Sequence, residues 1–132
     1  MNLRLIFSTT GLLAAVVMVC AGCGKSSPND TPSATPMQPQ DAAAQLQTAF
    51  TGATPEVRNT AHAASEAMRA ADYEKAIQSI QTIKARQTLT YDQGLAVYNS
   101  ERALEATLIM GMNAGDPNAK RAYELLKKSR RN

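Results

Sequence analysis

Apolar residues after position 40 recur at steps of three and four, which is the spacing of one face of an α-helix. One such series is Val57, Ala61, Ala64, Met68 and Ala71. Three further series follow the same spacing: Ala76, Ile80 and Ile83; Val97, Leu104 and Leu108 with Tyr98, Gly111 and Met112; and Ala119, Ala122, Tyr123 and Leu126. Strand-like alternation is not seen here, so the pattern predicts an all-α domain.

Start signals divide this region into five predicted helices. Thr54-Pro55 and Asp116-Pro117 each combine a capping residue with a proline suited to the first turn. Thr90 and Gln93 have the spacing of a capping box. The predicted helices are Asp41–Thr51 with Asp41 as its cap, Pro55 to about Ala71, Asp72 to about Thr88, Thr90–Asn113, and Asp116 to near the C-terminus. Their short connections predict a small bundle of antiparallel αα-hairpins.

The segment Ala70–Ile77 joins two of these helices through an Asp-Tyr turn, and Ala76 follows in the second helix. Together with Ala64 and Ile80, this segment resembles the turn of a tetratricopeptide repeat, and the resemblance covers residues 57–90. Thr60, Ala67 and Thr88 stand where that family has Trp, Tyr and Pro. The resemblance implies paired helices that approach closely through small residues and serve protein binding. A compact bundle and an open repeat array both remain consistent with the sequence.

The N-terminal pattern differs from that of the helical region. Arg4 precedes a largely apolar run from Leu5 to Val19, which is the plan of a secretory signal. The run Val19-Cys20-Ala21-Gly22-Cys23 resembles the lipobox of bacterial lipoproteins. The resemblance implies cleavage after Gly22 and lipidation of Cys23, which leaves no free thiol. A retained membrane anchor and an unlipidated secreted form are the alternatives.

These patterns predict a signal peptide at residues 1–22, a lipidated cysteine with a disordered tether at 23–40, and a helical domain at 41–132. Pro28, Pro32, Pro36 and Pro39 interrupt the tether, which has few apolar residues to bury. The lipobox resemblance places the protein in the cell envelope, held at a membrane by its lipid. Gly24 after the lipidated cysteine favours the periplasmic side of the outer membrane, if the cell has two membranes.

Composition agrees with a helical, non-nucleic-acid-binding protein. Aromatic residues make up only 5% of the 132 residues, and tryptophan is absent. The formal net charge of +3 is too small to indicate nucleic-acid binding. From Asp116 onward there are six basic and two acidic residues, so positive charge concentrates at the C-terminus.

Few residues suggest catalysis. His62 is the sole histidine, and Glu66 is the one carboxylate at helical spacing from it, so no metal site is predicted. Glu101 falls within an apolar series, where burial could raise its pKa, and Glu105 lies one turn away. A solvated position or an ion pair with another helix is the expected role of Glu101.

Two surfaces are candidates for binding. Tyr98, Met110 and Met112 could line an adaptable partner groove, although methionine at this spacing also fills cores. The basic end could bind envelope polyanions or lipid head groups, or simply stabilise a helix C-terminus. Its four cations are Lys127, Lys128, Arg130 and Arg131.

The sequence therefore predicts a membrane-anchored, non-catalytic envelope lipoprotein that binds a protein partner, without a cofactor and without nucleic acid. A structural lipoprotein that binds polyanions through its basic C-terminus is the first alternative. A small hydrolase-type enzyme that uses Glu101 or His62 is the second.

Overall fold

The computed structural model describes residues 36–86 and 88–131, and these form five helices. Their bounds are α1 (Pro39–Ala49), α2 (Pro55–Arg69), α3 (Tyr73–Arg86), α4 (Tyr91–Asn113) and α5 (Pro117–Ser129). The described residues contain no strand. The predicted all-α class is therefore confirmed, and the helices pack as a bundle of hairpins consistent with a tetratricopeptide-repeat-like fold.

The predicted helix starts are largely confirmed by hydrogen bonds. The Thr90 hydroxyl accepts from the Gln93 backbone N–H at 3.3 Å, while the Gln93 side chain accepts from the Thr90 N–H at 3.1 Å. The Asp116 carboxylate accepts from the Asn118 N–H at 2.8 Å. Thr54 occupies the predicted cap position of α2, but its side chain accepts no capping hydrogen bond.

The cap of α1 was predicted three residues too late, at Asp41. The helix begins at Pro39 with Gln38 as its cap, so Asp41 lies inside the first turn rather than before it. Proline is tolerated there because the first N–H groups of a helix have no intrahelical acceptor in any case. The last proline of the predicted tether thus belongs to the folded bundle, and Asp41 contributes favourable negative charge to the first turn.

The helix ends depend on residues in the left-handed backbone region. Gly115 follows α4 with φ +83°, as expected for glycine at this position. Ala71 follows α2 with φ +58°, which is unusual for a residue with a side chain, and it is exposed. Its predicted place in the apolar series of α2 is therefore wrong, because the helix ends at Arg69. The Asp72 N–H then donates to the Ala67 carbonyl at 2.9 Å, which caps α2 two residues before its predicted end.

The helices pack in a closed order rather than as an open row. Each of α1, α2 and α4 packs against the next helix in the chain, while α1 also packs against α4 and α3 against α5. Contact between α3 and α4 is slight. The order around the bundle is therefore α1, α2, α3, α5, α4 and back to α1.

One core lies inside this ring. It includes Ala64, Ala76 and Ile80, the three residues that carry the repeat resemblance, each at most 2% exposed. The largest fully buried side chains are Phe50, Leu46, Met68, Ile77, Ile80, Ile83, Leu104, Leu108 and Leu126. Alanine fills much of the remainder, which allows close approach of helices with few aromatic residues.

Candidate functional site

The lipobox residues lie outside the described part of the chain. The lipidation of Cys23 and the cleavage after Gly22 therefore stay predictions from sequence. Within residues 36–86 and 88–131, no helix combines the length and apolar character needed to cross a bilayer.

His62 lies exposed on α2. Glu66, its one carboxylate neighbour at helical spacing, pairs instead with Arg69 at 2.6 Å. Within the described residues, no group of three or more histidine, cysteine, aspartate or glutamate side chains could hold a metal ion.

Glu101 and Glu105 connect α4 to other parts of the bundle. The Lys84 Nζ on α3 donates to the Glu101 Oε1 at 2.8 Å, and the Glu101 side chain is 12% exposed. Arg130, just after α5, donates to both Glu105 oxygens at 2.8 and 3.2 Å. Glu101 thus makes the interhelical ion pair that was one of its two expected roles, and each carboxylate is paired with a cation.

The four cations of the basic C-terminus differ in whether another side chain of the protein already pairs with them. The hydrogen bond from Arg130 to Glu105 raises the pKa of the guanidinium above its usual value. Lys127 lies 3.6 Å from Glu124 and 5.7 Å from the centre of the Tyr123 ring. Lys128 and Arg131 are exposed. A polyanion site would therefore depend chiefly on the latter two, because Arg130 is held by Glu105.

The predicted partner residues do not form one groove. Tyr98 is 58% exposed and Met110 is 61% exposed, but the two positions are separated by about 18 Å along α4. Met112 is half-buried and packs against the core. Tyr98 had also been placed in the core series of α4, and its exposure shows that part of the prediction to be wrong. Met110 lines a small apolar cavity of about 260 Å³ with Met37 and Ala106.

A larger exposed surface lies on the side of α4 opposite its buried face. This surface, here called the outer face of α4, consists of Tyr91, Leu95, Tyr98, Arg102, Glu105 and Ile109. Tyr91 is 83% exposed, whereas Leu95 and Ile109 are 39% and 38% exposed. Arg102 is also exposed, whereas the Glu105 side chain is mostly covered, with Arg130 and Arg102 against it. A long helix in this bundle therefore presents apolar residues both to the core and to solvent.

The spacing of the outer-face residues could have predicted this surface, but α4 also carries the apolar series that was assigned to the core. The six outer-face residues are separated by steps of four, three, four, three and four, which is a heptad spacing. Buried Val97, Leu104 and Leu108 follow a second series on the other side of the same helix. Because α4 is apolar on both sides, periodicity alone could not show which side faces the core.

A second opening lies between the ends of α3 and α5. This cavity of about 430 Å³ is lined by Gln81, Lys84, Ala85, Ser129 and Arg130. The Gln81 Nε2 is buried without a hydrogen-bond partner. Lys84 and Arg130 are each paired with a carboxylate, so the cavity offers donors without a strong net charge.

Comparison with protein-family models, curated proteins and solved structures found no match to this chain. Any function assigned to it consequently rests on its sequence and on the geometry of the described residues.

Proposed function

We propose that this protein is a lipid-anchored, non-catalytic interaction module of the bacterial cell envelope. The observation that carries the proposal is the outer face of α4. On this face Tyr91 and Tyr98 are each more than half exposed, and Leu95 and Ile109 are each more than one-third exposed. Contiguous exposed apolar residues on a small domain mark a surface that binds another macromolecule.

The composition of this face supports a protein partner. Tyrosine and arginine are enriched in the cores of protein interfaces, and this face supplies Tyr91, Tyr98 and Arg102. Tyrosine offers a large rigid contact area at small entropic cost, so Tyr98 is the expected anchor of the contact.

The N-terminal sequence supports the anchor. Acylation of Cys23 would hold the chain at a membrane, because each buried methylene contributes about 0.8 kcal/mol. About fourteen residues, from Lys25 to Gln38, would separate the lipid from α1. The bundle would then present its outer face to partners near the membrane surface, on the periplasmic side of the outer membrane in a two-membrane cell.

The ion pairs support a non-catalytic role. Glu101, the carboxylate that sequence singled out, is paired at 2.8 Å with Lys84. His62 lies exposed, and Glu66, the carboxylate one turn away from it, is paired with Arg69. A general base needs an accessible carboxylate or imidazole positioned beside a reacting group. These observations favour a structural ion pair for Glu101 and a solvated surface position for His62.

The anchor is tested by metabolic labelling with palmitate and by intact-mass analysis of the full-length protein expressed in bacteria. Cys23→Ser should abolish labelling and retain the signal peptide. Cys20→Leu is the matched control, since it replaces the other cysteine with the residue usual at that lipobox position. Labelling that survives in Cys23→Ser, or a wild-type mass without lipid, would contradict the proposed anchor.

The interaction surface is tested by placing a photo-crosslinking amino acid at Tyr98 in living cells. Position 124 on α5 is the control, because Glu124 is exposed but lies outside the outer face. We expect discrete protein adducts from position 98 and none of the same mass from position 124. Equal patterns, or no adducts from position 98, would exclude the outer face as the binding surface.

A further inference from the structure

The outer face of α4 is complementary to itself. Continuing its spacing by three residues reaches half-buried Met112, so the positions from Leu95 onward read apolar, apolar, Arg, Glu, apolar, apolar. These positions are Leu95, Tyr98, Arg102, Glu105, Ile109 and Met112. The order is the same in both directions except that arginine and glutamate exchange places. Two such helices running in opposite directions would therefore match apolar with apolar and positive with negative.

The antiparallel register follows from this symmetry. When Arg102 lies opposite the partner subunit's Glu105, Tyr98 lies opposite the partner subunit's Ile109. In the same register Leu95 lies opposite the partner subunit's Met112. Each pair joins an a position of one heptad to a d position of the other, as antiparallel coiled coils require. The two-fold axis passes between positions 103 and 104, and every contact is made twice.

Charge excludes the parallel alternative. A parallel, in-register pair would place Arg102 against a second Arg102 and Glu105 against a second Glu105, which is repulsive. The antiparallel register instead makes two Arg–Glu contacts at the centre. Arg102 is 61% exposed and lies 3.6 Å from its own Glu105, while Arg130 holds the Glu105 carboxylate in place. Glu105 already accepts from Arg130 through both oxygens, so the partner subunit's Arg102 would share a carboxylate that is oriented and paired.

We infer that the outer face of α4 binds a second copy of this chain, as an antiparallel α4–α4 pair centred between Arg102 and Glu105. The matched positions from Leu95 to Met112 span about 26 Å. A contact of this length belongs to the small, weak class of interfaces. The inference rests on the proposed function, because so small a contact needs the lipid anchor. Anchoring chains in one membrane raises their effective concentration and so favours the dimer.

The register is tested by disulfide crosslinking of the full-length lipoprotein in cells. Two differently tagged copies, one with Tyr98→Cys and one with Ile109→Cys, are expressed together. We expect a mixed-tag dimer, because disulfides need Cβ atoms about 4 Å apart and these positions face each other. Tyr98→Cys alone should not crosslink to itself, since the two copies of position 98 lie about 16 Å apart along the axis.

The pattern of products distinguishes the outcomes. A Tyr98→Cys homodimer would indicate a parallel pair and overturn the register, and absence of any mixed dimer would overturn the inference. Intact mass of the same bands reports acylation of Cys23, so failure of the anchor is seen separately from failure of the dimer. Adducts from a photo-crosslinker at Tyr98 that contain only other proteins would identify a different partner and also exclude self-pairing.

Charge exchange gives a second test in the same crosslinking background. Arg102→Glu places four carboxylates at the centre and should lower the yield of mixed dimer about tenfold. Combining Arg102→Glu with Glu105→Arg and Arg130→Glu in both copies should restore most of the yield, because the third change keeps an ion pair between positions 105 and 130. Lys120→Glu makes the same charge change on an exposed position of α5 and should leave the yield unchanged. Failure of the triple exchange to restore crosslinking in a protein with unchanged helical circular dichroism would count against the register.

Discussion

Ala71 shows how one residue stores strain where a helix ends. Its φ of +58° lets the Asp72 N–H reach the Ala67 carbonyl at 2.9 Å and turn the chain into α3. A side chain in this region costs about 1 kcal/mol relative to glycine. The turn between α2 and α3 therefore depends on a conformation that its own sequence disfavours.

Replacing Ala71 with glycine should stabilise the protein. We expect Ala71→Gly to raise the free energy of unfolding by about 0.5–1 kcal/mol and the Tm by several degrees. The matched control is Ala70→Gly, because Ala70 has φ −80° and gains nothing from glycine. Thermal unfolding followed by circular dichroism measures both. Equal shifts for the two variants would contradict the strain at Ala71.

Replacing each of two glycines of α4 with alanine should change the stability of the protein in opposite directions. A Cβ on Gly111 would lie 2.7 Å from the Ala119 Cβ of α5, whereas a Cβ on Gly94 meets nothing within 4 Å. Gly94→Ala should stabilise by about 0.8 kcal/mol through helix propensity. Gly111→Ala should destabilise by about 1–3 kcal/mol, since α4 and α5 must separate. Chemical denaturation of both variants tests the sign, and stabilisation by Gly111→Ala would show that the helices can move apart freely.

At the scale of helices, Glu105 connects α4 to the end of α5. Its two oxygens accept from Arg130, and its side chain is only 21% exposed. A bidentate pair that is partly covered contributes more than an exposed pair, since less of its attraction is screened by water.

Glu105→Gln should therefore lower the free energy of unfolding by about 1–2 kcal/mol, because the Arg130 charge loses its paired carboxylate. Glu124→Gln is the control, since Glu124 lies 3.6 Å from Lys127 on the exposed surface of α5. That variant should change stability by less than about 0.5 kcal/mol. Denaturation at low and high salt measures both, and equal effects would show that the Arg130 contact adds nothing.

Helix starts could be predicted from sequence because their causes are local. The Thr90–Gln93 box and the Asp116 cap satisfy backbone N–H groups only a few residues away. Pro39 was misassigned because proline suits both a tether and a first helical turn. The choice of which side of α4 faces the core depends on α1 and α5, which are distant in sequence. Tyr98 was therefore placed on the wrong side, and the outer face was not recognised.

At the scale of the molecule, contact between α1 and α4 closes the ring. Leu46 of α1 is fully buried, and Asn99 of α4 donates to the Gln45 side chain at 2.9 Å. An open repeat array lacks such a contact between distant helices, and its ends can unfold separately. In the ring, the loss of α1 exposes α2 and α4 together, so the described helices should unfold as one unit.

Leu46→Ala tests this coupling through amide hydrogen exchange. Removing the buried side chain should cost about 2–5 kcal/mol. If the bundle unfolds cooperatively, the slowest amides of α5 should exchange faster by the same factor as those of α1. Thr48→Ala is the control on the same helix, since Thr48 is exposed. It should accelerate amide exchange in α1 and α5 only slightly. Unchanged protection of α5 in Leu46→Ala, alongside faster exchange in α1 and α2, would mean that the bundle behaves as a chain of separable hairpins.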